Sequence, residues 1–141
     1  MPETKQIKVF IVEDDFIFIE ILAGMLDSLN EELISRNIKI TYKTFYSNSE
    51  AEFELRQNPD IILLDYFIVD DELNEDTALK FLLDIREHDS SIDVIIVSGQ
   101  ENPAIKEDLL MKGAVAYISK EQDSLMTLKP VLMEIIEKRL S

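Results

Sequence analysis

The chain has 141 residues, 46% apolar and 30% charged, a balance that excludes intrinsic disorder and suits one domain, expected to span 1–141 with no output domain. A formal net charge of −15 argues against direct nucleic-acid contact and against anionic membranes, both of which need Lys and Arg patches. With no cysteine, no secretory leader and no apolar run of membrane-spanning length, neither disulfides, thiolate metal sites nor membrane insertion is expected, and a cytoplasmic location is.

Ile7 to Val12 reads as a first strand running into Glu13-Asp14-Asp15. From Phe16 the apolar period becomes helical: Phe16, Ile19, Leu22, Ala23, Leu26 and Leu29 fall on one face. Asp14 or Asp15 caps this helix, which runs to about Asn30 or on through Leu33-Ile34. Ile17, Phe18 and Ile21 widen the face and are expected in or near the core. Ile38 to Tyr42 alternates and is β-branched, which suits a strand near an edge. Asn48 or Ser49 caps a short helix from Glu50 to Gln57, with Ala51, Phe53 and Leu55 partly inward, and Asn58-Pro59 ends it.

Ile61-Ile62-Leu63-Leu64 runs straight into Asp65. Four consecutive apolar residues predict a strand covered on both faces, as in a parallel sheet. Tyr66 to Asp76 is acidic, holds no basic residue and reads as a solvated loop. A helix follows from about Thr77 to Glu87, capped by Asp76, with Ala78, Phe81, Leu82 and Ile85 inward. Asp93 to Val97 forms a fourth strand ending in Ser98-Gly99. Pro103 opens a helix that runs to Lys112 and stops at Gly113. Val115 to Ile118 forms a fifth strand ending in Ser119-Lys120. After a loose turn from Asp123, Thr127 caps a last helix to about Arg139, which puts Pro130 in the first turn, where it is tolerated.

Strand and helix alternate five times. This predicts an α/β fold: a doubly wound, five-stranded parallel sheet of order 2-1-3-4-5 in a flavodoxin-like three-layer sandwich. In that topology the C-terminal ends of the first and third strands flank the switch point, so Glu13, Asp14 and Asp65 meet there. Ser98 and Lys120 reach the same edge. Three acids, a hydroxyl and an amine suit phosphoryl transfer, and oxygen ligands without His or Cys favour Mg2+. No glycine-rich phosphate loop is present, so the phosphoryl donor is not evidently a nucleotide.

Five elements, in order and each at a strand end, resemble the receiver domain of bacterial two-component response regulators, of the stand-alone, chemotaxis-regulator-like kind. The similarity covers nearly all of the chain. Glu13-Asp14 matches the acidic pair, Asp65 the phosphoacceptor, Ser98-Gly99 the hydroxyl residue with its small follower, and Tyr117 with Lys120 the switch aromatic and the lysine. The resemblance implies a phosphoprotein of a phosphorelay. Asp65 would attack a phosphohistidine of a sensor histidine kinase or phosphotransfer protein and become an aspartyl phosphate. Asp14, Asp65 and the backbone carbonyl of Phe67 would bind Mg2+ directly, with Glu13 acting through water. Ser98 would swing to the phosphoryl group and Tyr117 would follow, remodelling the face of the last two helices and strand five for a downstream protein target. Two copies can pair through that same face. No enzyme activity is implied beyond self-phosphorylation and slow autodephosphorylation, the latter because Phe67 cannot orient water, although Gln100 could.

Two departures stand out. The loop after Asp65, which carries an acidic stretch, is several residues longer than the family's. Glu121 replaces the proline usual after the lysine, where a cis bond before a non-proline residue would cost roughly 3 kcal/mol. The altered loop supports an alternative, a phosphorylation-independent interaction module on the same fold. A dedicated phosphohydrolase would need an aspartate where Phe67 stands. His88 reads as a surface loop residue.

Overall fold

Five strands pair in parallel: β1 (Lys5–Val12), β2 (Ile38–Phe45), β3 (Ile61–Asp65), β4 (Asp93–Ser98) and β5 (Ala116–Ser119), in the order β2-β1-β3-β4-β5. The computed structural model describes residues 3–66, 77–99, 102–121 and 126–141. Around the sheet lie α1 (Phe16–Leu33), α2 (Asn48–Phe53), α3 (Thr77–His88), α4 (Pro103–Met111) and α5 (Leu128–Leu140). The α/β class and strand order read from the sequence are those observed.

Ile61 to Leu64 of β3 and Val94 to Val97 of β4 are unbroken apolar runs because both their faces are covered. One core holds Val9, Ile11, Ile61, Leu63, Ile95 and Val97 against α1 and α5. The other holds Phe10, Val12, Ile62, Leu64, Val94 and Ile96 against α2, α3 and α4. The period of two along each strand sends alternate residues to the two cores. α1 buries Phe18, Ile19, Leu22, Leu26, Leu29 and Leu33. At about 2 kcal/mol each, these six outweigh the roughly 1 kcal/mol cost of Gly24 within the helix.

The edge strand β2 is closed by a side chain. Ile40 N–H donates to Asn30 Oδ1 at 2.6 Å, and Asn30 Nδ2 donates to the Ile40 carbonyl at 2.9 Å. Below the sheet, Arg139 of α5 ties the strand starts together. Its Nη1 reaches Asp93 Oδ2 at 2.8 Å and the Ser91 carbonyl at 2.8 Å, and its Nη2 reaches Asp60 Oδ1 at 3.1 Å. Asp60 Oδ2 in turn accepts the Lys8 N–H at 2.8 Å.

Several expectations shift. Asp15 is the cap of α1, accepting from Ile17 and Phe18 N–H. Phe16, the first residue of α1, is 61% exposed, and Phe18 takes the core position. Ile17 and Ile21 are also exposed. β2 continues to Phe45, held by the β1 ladder and by the Phe10 ring, whose centroid lies 4.7 Å from that of Phe45. Ser47, rather than Asn48 or Ser49, caps α2. Phe53 is 66% exposed, two residues round the helix from buried Ala51, and lies under the Arg56 guanidinium. Val115 is exposed and precedes β5. Thr127 stands at the cap of α5 and its carbonyl accepts the Val131 N–H, so Pro130 does fall in the first turn. The expectations for Phe67, Gln100, the acidic loop, the Asp76 cap and the turn from Asp123 lie outside the described residues.

Candidate functional site

At the C-terminal edge of the sheet, three strand ends converge. Glu13 follows β1 and keeps its ladder, its N–H donating to the Phe45 carbonyl at 2.9 Å. Asp65 is the last residue of β3, paired in register with Val97. Lys120 follows β5, its N–H donating to the Ser98 carbonyl at 2.7 Å. Glu13 is 1% and Asp65 3% exposed, whereas Asp14 is exposed.

Lys120 Nζ lies 2.7 Å from Glu13 Oε1 and 3.3 Å from Asp65 Oδ1. Carboxylate oxygens of Glu13, Asp14 and Asp65 all lie within 4.8 Å of one another, a spacing that one cation can bridge. Ser98 is fully buried and paired in register with Ser119. Tyr117 is half-buried against the α2–α4 core. It lines a cleft of about 430 Å³ with Asn102, Pro103, Lys106 and Thr127. Glu13, Asp14, Asp65 and Lys120 thus meet at one edge, where Ser98 also ends β4; Tyr117 stands two residues before the end of β5, and the Phe67 carbonyl lies outside the described residues.

A family model, the response regulator receiver domain, matches residues 9–129. The chain belongs to this family. Among solved structures, it is similar to a two-component response regulator from Clostridium difficile, with TM-score 0.73 and 20% identity over 96% of this chain and 100% of that one. The signal receiver domain of a DNA-binding response regulator from Colwellia psychrerythraea gives TM-score 0.71 and 20% identity, over 93% and 98% of the two chains. That of the response regulator NarL from Mycobacterium tuberculosis gives 0.69 and 20%, over 93% and 97%. No curated protein matches the chain in sequence.

Burial raises the pKa of the receiver's Glu13 to about 7, helped by the hydrogen bond it shares with the Asp65 carboxyl. Lys120 pulls the other way, as does the Asp15 N–H, which donates to Glu13 Oε2 at 3.1 Å. The ammonium at 2.7 Å does not win because a dry carboxyl beside a second carboxylate is costly to ionise. For Lys120, burial opposes the charge, but Glu13 and Asp65 outweigh it and raise its pKa. The cluster therefore holds more negative charge than one lysine neutralises, and its all-oxygen donors fit Mg2+.

The described peptide bonds are all trans, Lys120–Glu121 included. Glu121 N–H instead donates to Ser119 Oγ at 3.2 Å. Sequence reasoning passed over one neighbour of the site. The Phe18 ring lies 4.6 Å from Lys120 Nζ. An aromatic in a helix's first turn gives no sequence signal for such a contact.

Proposed function

We propose that this receiver accepts a phosphoryl group on Asp65 from a phosphohistidine of a sensor histidine kinase or phosphotransfer protein, in a Mg2+-dependent reaction. The carrying observation is the position of Asp65: a nearly buried carboxylate at a strand end, 3.3 Å from an ammonium and within cation-bridging distance of Glu13 and Asp14. An Asp65 oxygen forms the new bond to phosphorus. The P–N bond breaks, and its electron pair leaves with the imidazole. Lys120 balances charge on the phosphoryl oxygens, and the Ser98 hydroxyl donates to one of them. Asp14, Asp65 and the Phe67 carbonyl would hold Mg2+, with Glu13 acting through water; the ion would neutralise acids and phosphoryl oxygens together.

The readout follows from Tyr117. Movement of Ser98 towards the phosphoryl group frees space for the ring, which reshapes the cleft between α4, β5 and α5, where a downstream protein or a second copy docks. The setting is a cytoplasmic phosphorelay.

Intact mass after incubation with Mg2+ and acetyl phosphate tests this. One phosphoryl adduct is expected, absent in Asp65→Asn and abolished by a chelator. No adduct, where a known receiver is modified, refutes the phosphoacceptor reading and leaves a constitutive interaction module.

A further inference from the structure

Lys120 is held from three sides, and one of them is not an anion. Glu13 Oε1 and Asp65 Oδ1 take two directions at 2.7 and 3.3 Å. The ring of Phe18, itself only 6% exposed, covers another at 4.6 Å. The backbone fixes where that ring stands. Glu13 Oε2 accepts the Asp15 N–H at 3.1 Å. Asp15 Oδ1 accepts the Phe18 N–H at 3.3 Å. Phe18 then faces Lys120, which returns to Glu13 through Oε1, so the contacts form a closed circuit around one carboxylate.

An ammonium has three N–H donors and no acceptor. To reach incoming phosphoryl oxygens it must turn its donors away from the resting carboxylates without gathering water. A third carboxylate or a water would compete for those donors. An aromatic face attracts the charge through its quadrupole, claims no directional bond and excludes water. An aliphatic side chain of similar size would exclude water but supply no such attraction.

We infer that Phe18 is a positioning residue for phosphoryl transfer, its ring holding the Lys120 ammonium beside Asp65 while leaving the N–H donors available to the phosphoryl group. This rests on the phosphoacceptor reading of Asp65.

The test compares wild type with Phe18→Leu, which keeps apolar bulk, and Phe18→Tyr, which keeps the ring. Transfer from acetyl phosphate to Asp65 is expected to slow about five- to thirtyfold in Phe18→Leu and to stay within about threefold of wild type in Phe18→Tyr. The half-saturating Mg2+ concentration is expected to change little in either, because no cation ligand is altered. A second readout needs no phosphorylation. By NMR, the Lys120 side-chain signals of the unmodified wild type should carry an upfield ring-current shift, retained in Phe18→Tyr and lost in Phe18→Leu. Equal rates in all three proteins, or equal slowing in both variants, overturns the inference. So does a wild-type spectrum without the ring-current shift, which decides the matter even if a variant fails to fold. If the wild type takes no phosphoryl group while a known receiver does, the reading of Asp65 fails, and the Lys120 signals alone settle whether the ring holds the ammonium.

Discussion

Glu13→Gln is expected to remove a pH dependence of stability that the native carboxyl imposes. The folded protein holds the Glu13 proton up to about pH 7, whereas the ordinary value is 4.5. Burial is the main cause, followed by the hydrogen bond to Asp65, with Lys120 and the Asp15 N–H opposing. Because the folded value lies above the unfolded one, the folded state binds the extra proton between these limits. The contribution to stability is therefore fully present below pH 4.5 and is lost as pH rises through about 7. At roughly 1.36 kcal/mol per pH unit, the loss comes to about 3 kcal/mol. That is a large part of a typical domain's stability of about 5–15 kcal/mol. The raised pKa of Lys120 lies above its ordinary 10.5 and adds no slope in this window.

Urea unfolding of wild type and Glu13→Gln across this range, without divalent cations, measures the effect. Glutamine keeps the shape and cannot titrate. The wild type is expected to lose about 3 kcal/mol relative to the variant as pH rises. If Mg2+ binds as proposed, it is expected to restore stability above about pH 7, by about 2.7 kcal/mol at about 100 times its dissociation constant. Parallel pH curves for the two proteins, or a wild type that gains on the variant as pH rises, would refute the account of Glu13.

Arg139→Ala removes one side chain that spans Asp60, Asp93 and the Ser91 carbonyl. The charged partners are a quarter to a third exposed, so screening limits the expected loss to about 1–2 kcal/mol, smaller at high salt; an unchanged urea midpoint contradicts it. The glycines predict opposite signs. Gly24 lies inside α1 with nothing within 4 Å of an added Cβ, so Gly24→Ala is expected to stabilise by about 0.5–1 kcal/mol. Gly113 has φ +117°, and its Cβ would meet Arg86 Nε at 3.0 Å, so Gly113→Ala is expected to destabilise by about 1–3 kcal/mol. Thermal melts that move both midpoints the same way contradict this pair.

The sequence made β3 and β4 legible because strands covered on both faces carry unbroken apolar runs. α3 was legible because Ala78, Phe81, Leu82 and Ile85 keep one helical period, and all four are buried. Where signals crowd together, the choice failed by a residue or two. Phe16-Ile17-Phe18-Ile19 is apolar throughout, so period alone could not separate exposed Phe16 from buried Phe18. Ser47-Asn48-Ser49 offers three capping side chains in a row, and the backbone uses the first. Glu13, Asp65 and Lys120 were legible as strand ends once the strand order was fixed. Phe18 was not, because its contact depends on where α1 crosses the loop after β5, a tertiary fact that no local pattern encodes.

Strand alternation also separates the site's two tasks. Glu13 and Asp65 continue the parity of Ile11 and Leu63, and Lys120 that of Ile118, all on the side of α1 and α5. Ser98 continues the parity of Ile96, the register partner of Tyr117, on the opposite side. Glu13, Asp65 and Lys120 thus share one face, and the two residues proposed to relay a change in their charge share the other. The Ser98 carbonyl joins the two, since it accepts the Lys120 N–H at 2.7 Å. A shift of the Ser98 side chain can leave that backbone bond intact, so the ammonium stays placed while the opposite face rearranges. Only a strand residue can do both, its carbonyl fixed in the ladder and its side chain standing perpendicular to it.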